Sequence, residues 1–230
     1  YGAFAALMAP LVVSVHSVVG LDFAGAATPG WHSTEYPPFF VFGALWSGLA
    51  AVTLLILALR RRLGLESLIT ERHLGVLAKL LLTSSLLMSY AYVMDAFQAF
   101  YGPDLAERRQ FLHRVLGGGA PVYWMMIVCN CVLPLVLCAA GARRRHAVLG
   151  LVAIGAILGM WLERYNIVVL SLERTALPSA WGAYAPTVGD WAVFFGTVGL
   201  FGTMLMLAVR LLPMVSMNEM RELLRARGQA

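Results

Sequence analysis

The sequence predicts an all-α integral membrane protein, a bundle of about six membrane-spanning helices. Three observations carry that reading. Of 230 residues, 60% are hydrophobic and 13% charged, with a mean hydropathy of +0.77; soluble domains run at roughly 45–50% and about 25%. An aqueous fold of this size could not bury so much apolar surface, so lipid must cover part of it. Apolar runs recur at the length that crosses a hydrocarbon core of about 30 Å at about 1.5 Å rise per residue. Finally, the charged residues sort by side.

The spans are expected at 3–24, 39–60, 74–98, 120–141, 147–170 and 190–212, within a bundle covering 1–216. Pro29-Gly30 and Pro37-Pro38 bound the first loop, and Gly102-Pro103 follows the third span. Gly117-Gly118-Gly119 and Pro121 open the fourth, while Pro178 and Pro186 lie in the fifth loop. Pro10 and Pro134 fall inside spans, where a kink is tolerated if neighbours satisfy the freed carbonyls. The tail, 217–230 (MNEMRELLRARGQA), reads as a short amphipathic cytoplasmic helix on the membrane surface or a partner. The chain opens at Tyr1 without the basic region and cleavage site of a signal peptide, and reads as part of a longer chain.

Arg60, Arg61, Arg62, Arg72, Lys79, Arg143, Arg144, Arg145, Arg210, Arg221, Arg225 and Arg227 share one side, twelve of the 17 basic residues. The positive-inside rule makes that side cytoplasmic and puts the C-terminus there. Acids run the other way: Asp22, Glu35, Asp95, Asp104, Glu107, Glu163, Glu173 and Asp190 lie at or near the outer face. In this setting the net charge of +5 and pI of about 9.4 report topology, not nucleic-acid binding. Cys129, Cys131 and Cys138 sit in one apolar run as packing residues, without zinc or iron–sulfur spacing.

Ionisable groups inside spans are functional suspects. His16 lies in the first span and Asp22 ends it; six residues are about 9 Å of rise and roughly 240° of rotation, so the two do not share a face. Asp95 is near the outer end of the third span, with Tyr92 one turn below on the same face. If the first and third helices touch, Asp22 and Asp95 line one pocket with His16 at its floor. Such a pocket suits quinol oxidation: a neutral His or a desolvated carboxylate accepts a hydroxyl proton, and the bilayer admits the apolar tail. The plainer readings are a helix–helix hydrogen bond for His16, an interfacial cap for Asp22 and a structural role for Asp95. Glu163 and Arg164, adjacent and so on different faces, read as an interhelical ion pair or as part of a proton path. Of His16, His32, His73, His113 and His146 only His16 is in a span, so no haem is expected in this chain, and no metal or flavin motif is present in the sequence.

Four stretches resemble a known family: SVHSVVGLD (14–22), PGWHSTEYPP (29–38), GMWLERYNIVV (159–169) and MNEMREL (217–223). They are similar to the NrfD/polysulfide-reductase membrane subunits, most of all to the ActC-type subunit of alternative complex III. The resemblance implies further helices ahead of Tyr1 and a cofactor-free bundle in the bacterial inner membrane. It implies a quinol (menaquinol or ubiquinol) bound near the periplasmic face by His16, Asp22 and Asp95, with Tyr92 and His32 beside them. Glu163 and Arg164 match a charged family motif. The loop Trp31-His32-Ser33-Thr34 would face an iron–sulfur subunit or cap the pocket. Implied partners are that subunit, a homologous NrfD-like membrane subunit, c-type haem subunits and lipid, with quinol oxidation coupled to proton translocation. Three other readings stay open: the membrane anchor of a molybdopterin reductase such as polysulfide reductase, a proton or ion transporter without redox chemistry, and a scaffold beside an active homologue.

Overall fold

The structure, a computed structural model, describes residues 2–31, 33–175, 177–211, 221 and 225. His32 and, apart from Arg221 and Arg225, the tail expected at 217–230 lie outside the described residues. Regular structure among the described residues is helical. Six helices are long and apolar enough to cross a membrane. They are α1 (Gly2–Ala24), α2 (Tyr36–Arg62), α3 (Glu71–Tyr101), α5 (Ala120–Cys138), α6 (His146–Glu173) and α7 (Val188–Leu211). The chain is a multi-pass membrane protein, and each span coincides with its expected range to within a few residues.

Local chemistry sets the helix ends. Pro37 and Pro38 occupy the first turn of α2, where a missing N–H costs nothing. Arg60, Arg61 and Arg62 close α2 against the negative end of its dipole, and Gly64 at φ 63° turns the chain away. Thr70 N–H donates to His73 Nδ1 at 3.1 Å to start α3. The α3–α5 connection holds a helix that the hydropathy pattern did not reveal, α4 (Leu105–Leu116). Asp104 caps it, accepting from Ala106 N–H at 2.7 Å, and the helix buries Gln110, Phe111 and Arg114 while Arg108 and Arg109 stay exposed.

The chain divides into two compact units, Met8–Gly182 and Ala183–Ala230 with Tyr1–Leu7. In the second, Asp190 Oδ2 accepts from Thr187 N–H and Oγ1–H, both at 2.7 Å, fixing the start of α7. In the first, α2 packs on α3 and α6, and α5 on both α3 and α6. Trp46, Ala50, Ala78, Leu81, Met88, Val152, Ala153 and Ala156 fill its centre. In lipid, close packing and internal hydrogen bonds hold helices together, and small residues permit close approach. Gly159 is such a point: a Cβ there would overlap Asn130 Oδ1 and lie 2.9 Å from Cys129 Cβ. Gly20 of α1 is another, lying against the backbone of Pro37.

Two spans widen into π turns, Val128–Val132 in α5 and Asn166–Leu170 in α6. The first follows from sequence. Pro134 has no N–H to give the carbonyl four residues back, which belongs to Asn130. Ser85 of α3 supplies the missing donor, its Oγ lying 2.7 Å from that oxygen. In the second, Trp31 Nε1–H donates to Ile167 O at 2.7 Å and Gln110 Nε2–H to Leu170 O at 2.8 Å. Irregular backbone at membrane depth survives where protein satisfies it, as here.

Candidate functional site

A cavity opens at the end of the bundle where α2 begins and α3 finishes. It holds about 30 Å³, space for roughly two waters and too little for a six-membered ring. Its lining is unusual for a membrane interior. Glu35, Asp95, Arg114 and Glu163 bring charge, Tyr36, Tyr92 and Tyr123 bring phenols, and Asn166 brings an amide.

The deepest part is a hydrogen-bonded chain. Tyr92 Oη–H donates to Glu163 Oε2, and Asn130 Nδ2–H donates to Tyr92 Oη at 2.8 Å. Trp46 Nε1–H donates to Asn130 Oδ1 at 3.2 Å. Trp46, Asn130 and Glu163 are almost fully buried, so the order of donors and acceptors is set without water. Glu163 Oε1 and Asn166 Oδ1 accept no hydrogen bond among the described residues. The lining therefore holds two buried acceptors suited to a hydroxyl donor.

Nearer the mouth, Asp95 Oδ2 lies 3.5 Å from Arg114 Nη2, an ion pair in which the arginine is buried and the carboxylate half-exposed. Ser33 Oγ–H donates to Gln98 Oε1 at 2.6 Å, and Gln98 Nε2–H donates to Glu35 Oε2 at 3.0 Å. Burial, with the Asp95 charge as the smaller cause, pushes the Glu35 carboxyl up to about 7. Glu35, just before the first turn of α2, therefore exchanges its proton near neutrality.

The expected grouping of His16, Asp22 and Asp95 is not found. Asp95 and Tyr92 line the cavity together, as their spacing on α3 requires. His16 lines a separate groove between α1, α2 and α6, and its Nδ1 lies 2.8 Å from Val12 O. Asp22 is exposed on α1 and lines neither space. The reason is an aromatic wall. Phe23 of α1 meets Tyr36 and Phe40 at centroid distances of 6.2 and 5.2 Å, and Phe39 meets Tyr92 at 5.7 Å. These rings fill the space between α1 and the Asp95 carboxylate of α3.

Glu163 and Arg164 correct a second expectation. Adjacent on one helix, they nonetheless meet: Arg164 Nη2 lies 3.4 Å from Glu163 Oε1. The long arginine bends back, its guanidinium 4.0 Å from the Phe40 centroid. Gly43 makes this possible, since a Cβ there would come 2.8 Å from Met160 Cε and 3.3 Å from Arg164 Nη2. Glu163 faces the cavity and Arg164 the groove of His16, so the pair forms the partition between them. Glu35, Arg114, Asn130 and Asn166 were not singled out from sequence. Asn130 and Asn166 were the findable ones, each a polar residue inside an apolar run.

Fold and site together define a multi-pass helical membrane protein with a carboxylate–tyrosine–amide cluster at one end of its bundle. The chain belongs to the family described as "Polysulphide reductase, NrfD", whose model matches residues 1–176. It is also similar to a putative dimethyl sulfoxide reductase membrane subunit of Halobacterium salinarum, 24% identical over 239 residues. That match covers 89% of this chain and 52% of the other protein, so the chain spans about half the length of the curated relative it matches. Among the described residues no group of His, Cys, Asp and Glu could hold a metal ion.

Proposed function

We propose that this chain is the quinol-binding membrane subunit of a quinol:electron-acceptor oxidoreductase complex. The observation that carries the proposal is the buried Asn130–Tyr92–Glu163 chain opening beside Asp95 and Glu35. Quinol oxidation releases two protons and two electrons, and this site offers proton acceptors at two depths, Asp95 and Glu35 near the mouth and Glu163 buried behind them. In the reading we propose, the ring docks at the mouth against Asp95, and the cavity behind it holds water that carries protons inward to Glu163 or outward to Glu35. Both electrons leave to an iron–sulfur partner at this end, and quinone departs into the bilayer. Positive-inside bias supports reading this end as the outer face, periplasmic if the membrane is a bacterial inner membrane, with the arginine-rich end of α2 and the arginines ahead of α6 in the cytoplasm. The Glu163–Arg164 partition supports proton movement across the site, and His16 stands in the groove beyond it.

The test is quinol oxidation by the purified complex carrying Asp95→Asn or Glu163→Gln. Each should lower kcat by about 10²- to 10⁴-fold, the scale of lost acid–base help, with assembly unchanged. Normal turnover in both would remove the site from the chemistry. Alternative complex III is the assembly that the ActC-like motifs favour, with c-type haem subunits and a homologous membrane subunit as partners. The likeness to a dimethyl sulfoxide reductase subunit favours a second reading, the anchor of a molybdopterin reductase. Co-purification decides between them: c-type haem subunits for the first, a molybdopterin subunit for the second.

A further inference from the structure

The opposite end of the bundle carries a second site. Arg72, Gly75, Val76 and Lys79 follow the i, i+3, i+4, i+7 spacing of one helical face, so they form a single strip along α3. That strip lines an open groove of about 870 Å³, whose other wall is Ala140, Arg143 and Arg144 after the end of α5. Four cations thus converge from two elements. Glu71 is the carboxylate in the lining, and it is already engaged: Arg60 Nη2–H donates to its Oε1 at 2.7 Å and His146 Nε2 lies 3.1 Å from it. Arg143 is held in place, Nη1–H donating to Leu137 O at 2.9 Å and Cys138 O at 3.1 Å, which leaves its other nitrogens to the groove. A Cβ at Gly75 would meet nothing within 4 Å, so the floor between the cations is open.

Lys79 decides what such a groove is for. It is the lone lysine of the chain, and it stands eight residues inside α3, beyond its first two turns. An ammonium at that depth keeps its charge by reaching back along the helix toward the interface. That brings it to the level of lipid phosphates, beside Arg72 and Arg144. Val76 beside it, and Leu80 and Leu87 below it, expose an apolar strip on α3. A cationic nest above a hydrocarbon face matches the two halves of one molecule.

We propose that this groove binds the phosphate of an anionic phospholipid, with an acyl chain lying along Val76, Leu80 and Leu87. The ligand class is a phosphodiester, whose oxygens Lys79, Arg72 and Arg144 reach together. A free phosphate would use the same cations without the strip, and an acidic partner segment would need neither Lys79 at depth nor the apolar face.

The purified complex, delipidated and reconstituted in phosphatidylcholine with a minor share of phosphatidylglycerol, tests this by native mass spectrometry of the lipid it retains. The wild type should enrich phosphatidylglycerol about tenfold, and Arg72→Gln with Lys79→Gln should lower retention at least fivefold. The charge-keeping pair Arg72→Lys with Lys79→Arg should keep it, as should Arg61→Gln, which removes a charge at the same end outside the groove. If the double glutamine variant fails to assemble, Arg144→Gln alone should still reduce retention. Equal retention in all variants overturns the proposal. Displacement by millimolar inorganic phosphate as readily as by lipid also overturns it, in favour of a free-anion site. So does loss of retention in Arg61→Gln to the same degree as in the groove variants.

Discussion

The two ends of the bundle are built from the same helices and treat charge in opposite ways. At the cavity end, Glu163, Asn130 and Tyr92 are buried and locked to one another, and Arg114 is buried against Asp95. At the other end Arg72, Lys79 and Arg144 are exposed, and even the Arg60–Glu71 pair has its carboxylate largely in the open. Burial separates them more than sign does. A buried network has a fixed geometry and proton affinities its neighbours can tune, which chemistry requires. An exposed cluster is screened and adaptable, and serves for orientation and for recognition of soft, charged surfaces.

That contrast can be broken most forcefully at Asn130. Asn130→Leu strips the acceptor from Trp46 and the donor from Tyr92, leaving buried groups unpaired beside the close contact at Gly159. It should lower stability by about 3 kcal/mol in a detergent unfolding titration. No loss would mean the network is incidental to the fold. Ser85→Ala removes the hydroxyl that meets the carbonyl freed by Pro134, and should cost about 1 kcal/mol in the same assay.

A third variant, Glu35→Gln, sharpens the comparison through pH. Because Glu35 holds its proton to about 7 when folded against 4.5 ordinarily, its contribution to stability is complete below about 4.5 and is lost as pH rises through about 7. The melting temperature of the wild type relative to Glu35→Gln should therefore fall across that window, and a constant offset would refute the assignment. The smallest effect belongs to the other end. Glu71→Gln breaks an exposed ion pair and should leave the melting temperature unchanged at moderate salt.

The fold was legible because a span is a long signal: some twenty apolar residues outweigh local accidents, and all six were placed to within a few residues. Helix α4 escaped because its pattern is short and amphipathic and was overshadowed by the spans on either side. In the site, Asp95, Tyr92, Glu163 and Arg164 stood out as ionisable groups inside apolar runs. Grouping them was harder. His16 and Asp22 share no cavity with Asp95 because aromatic side chains of α1 and α2 occupy the intervening space, which no spacing rule on a single helix can reveal. Arg114 and Glu35 escaped because their partners lie across loops. Asn130 left a trace that could have been followed, since Pro134 four residues later marks its carbonyl as one that needs a donor from elsewhere.

The wide turn at Asn166–Leu170 has a consequence for anyone who would re-engineer α6. It takes in one residue more than a regular helical turn, advancing the phase of all that follows by about 100°. Ser171 and Glu173 therefore point where an uninterrupted helix would send their neighbours. Deleting a single residue there would swing the last stretch of the span as a key turns in a lock, leaving composition and hydropathy almost untouched.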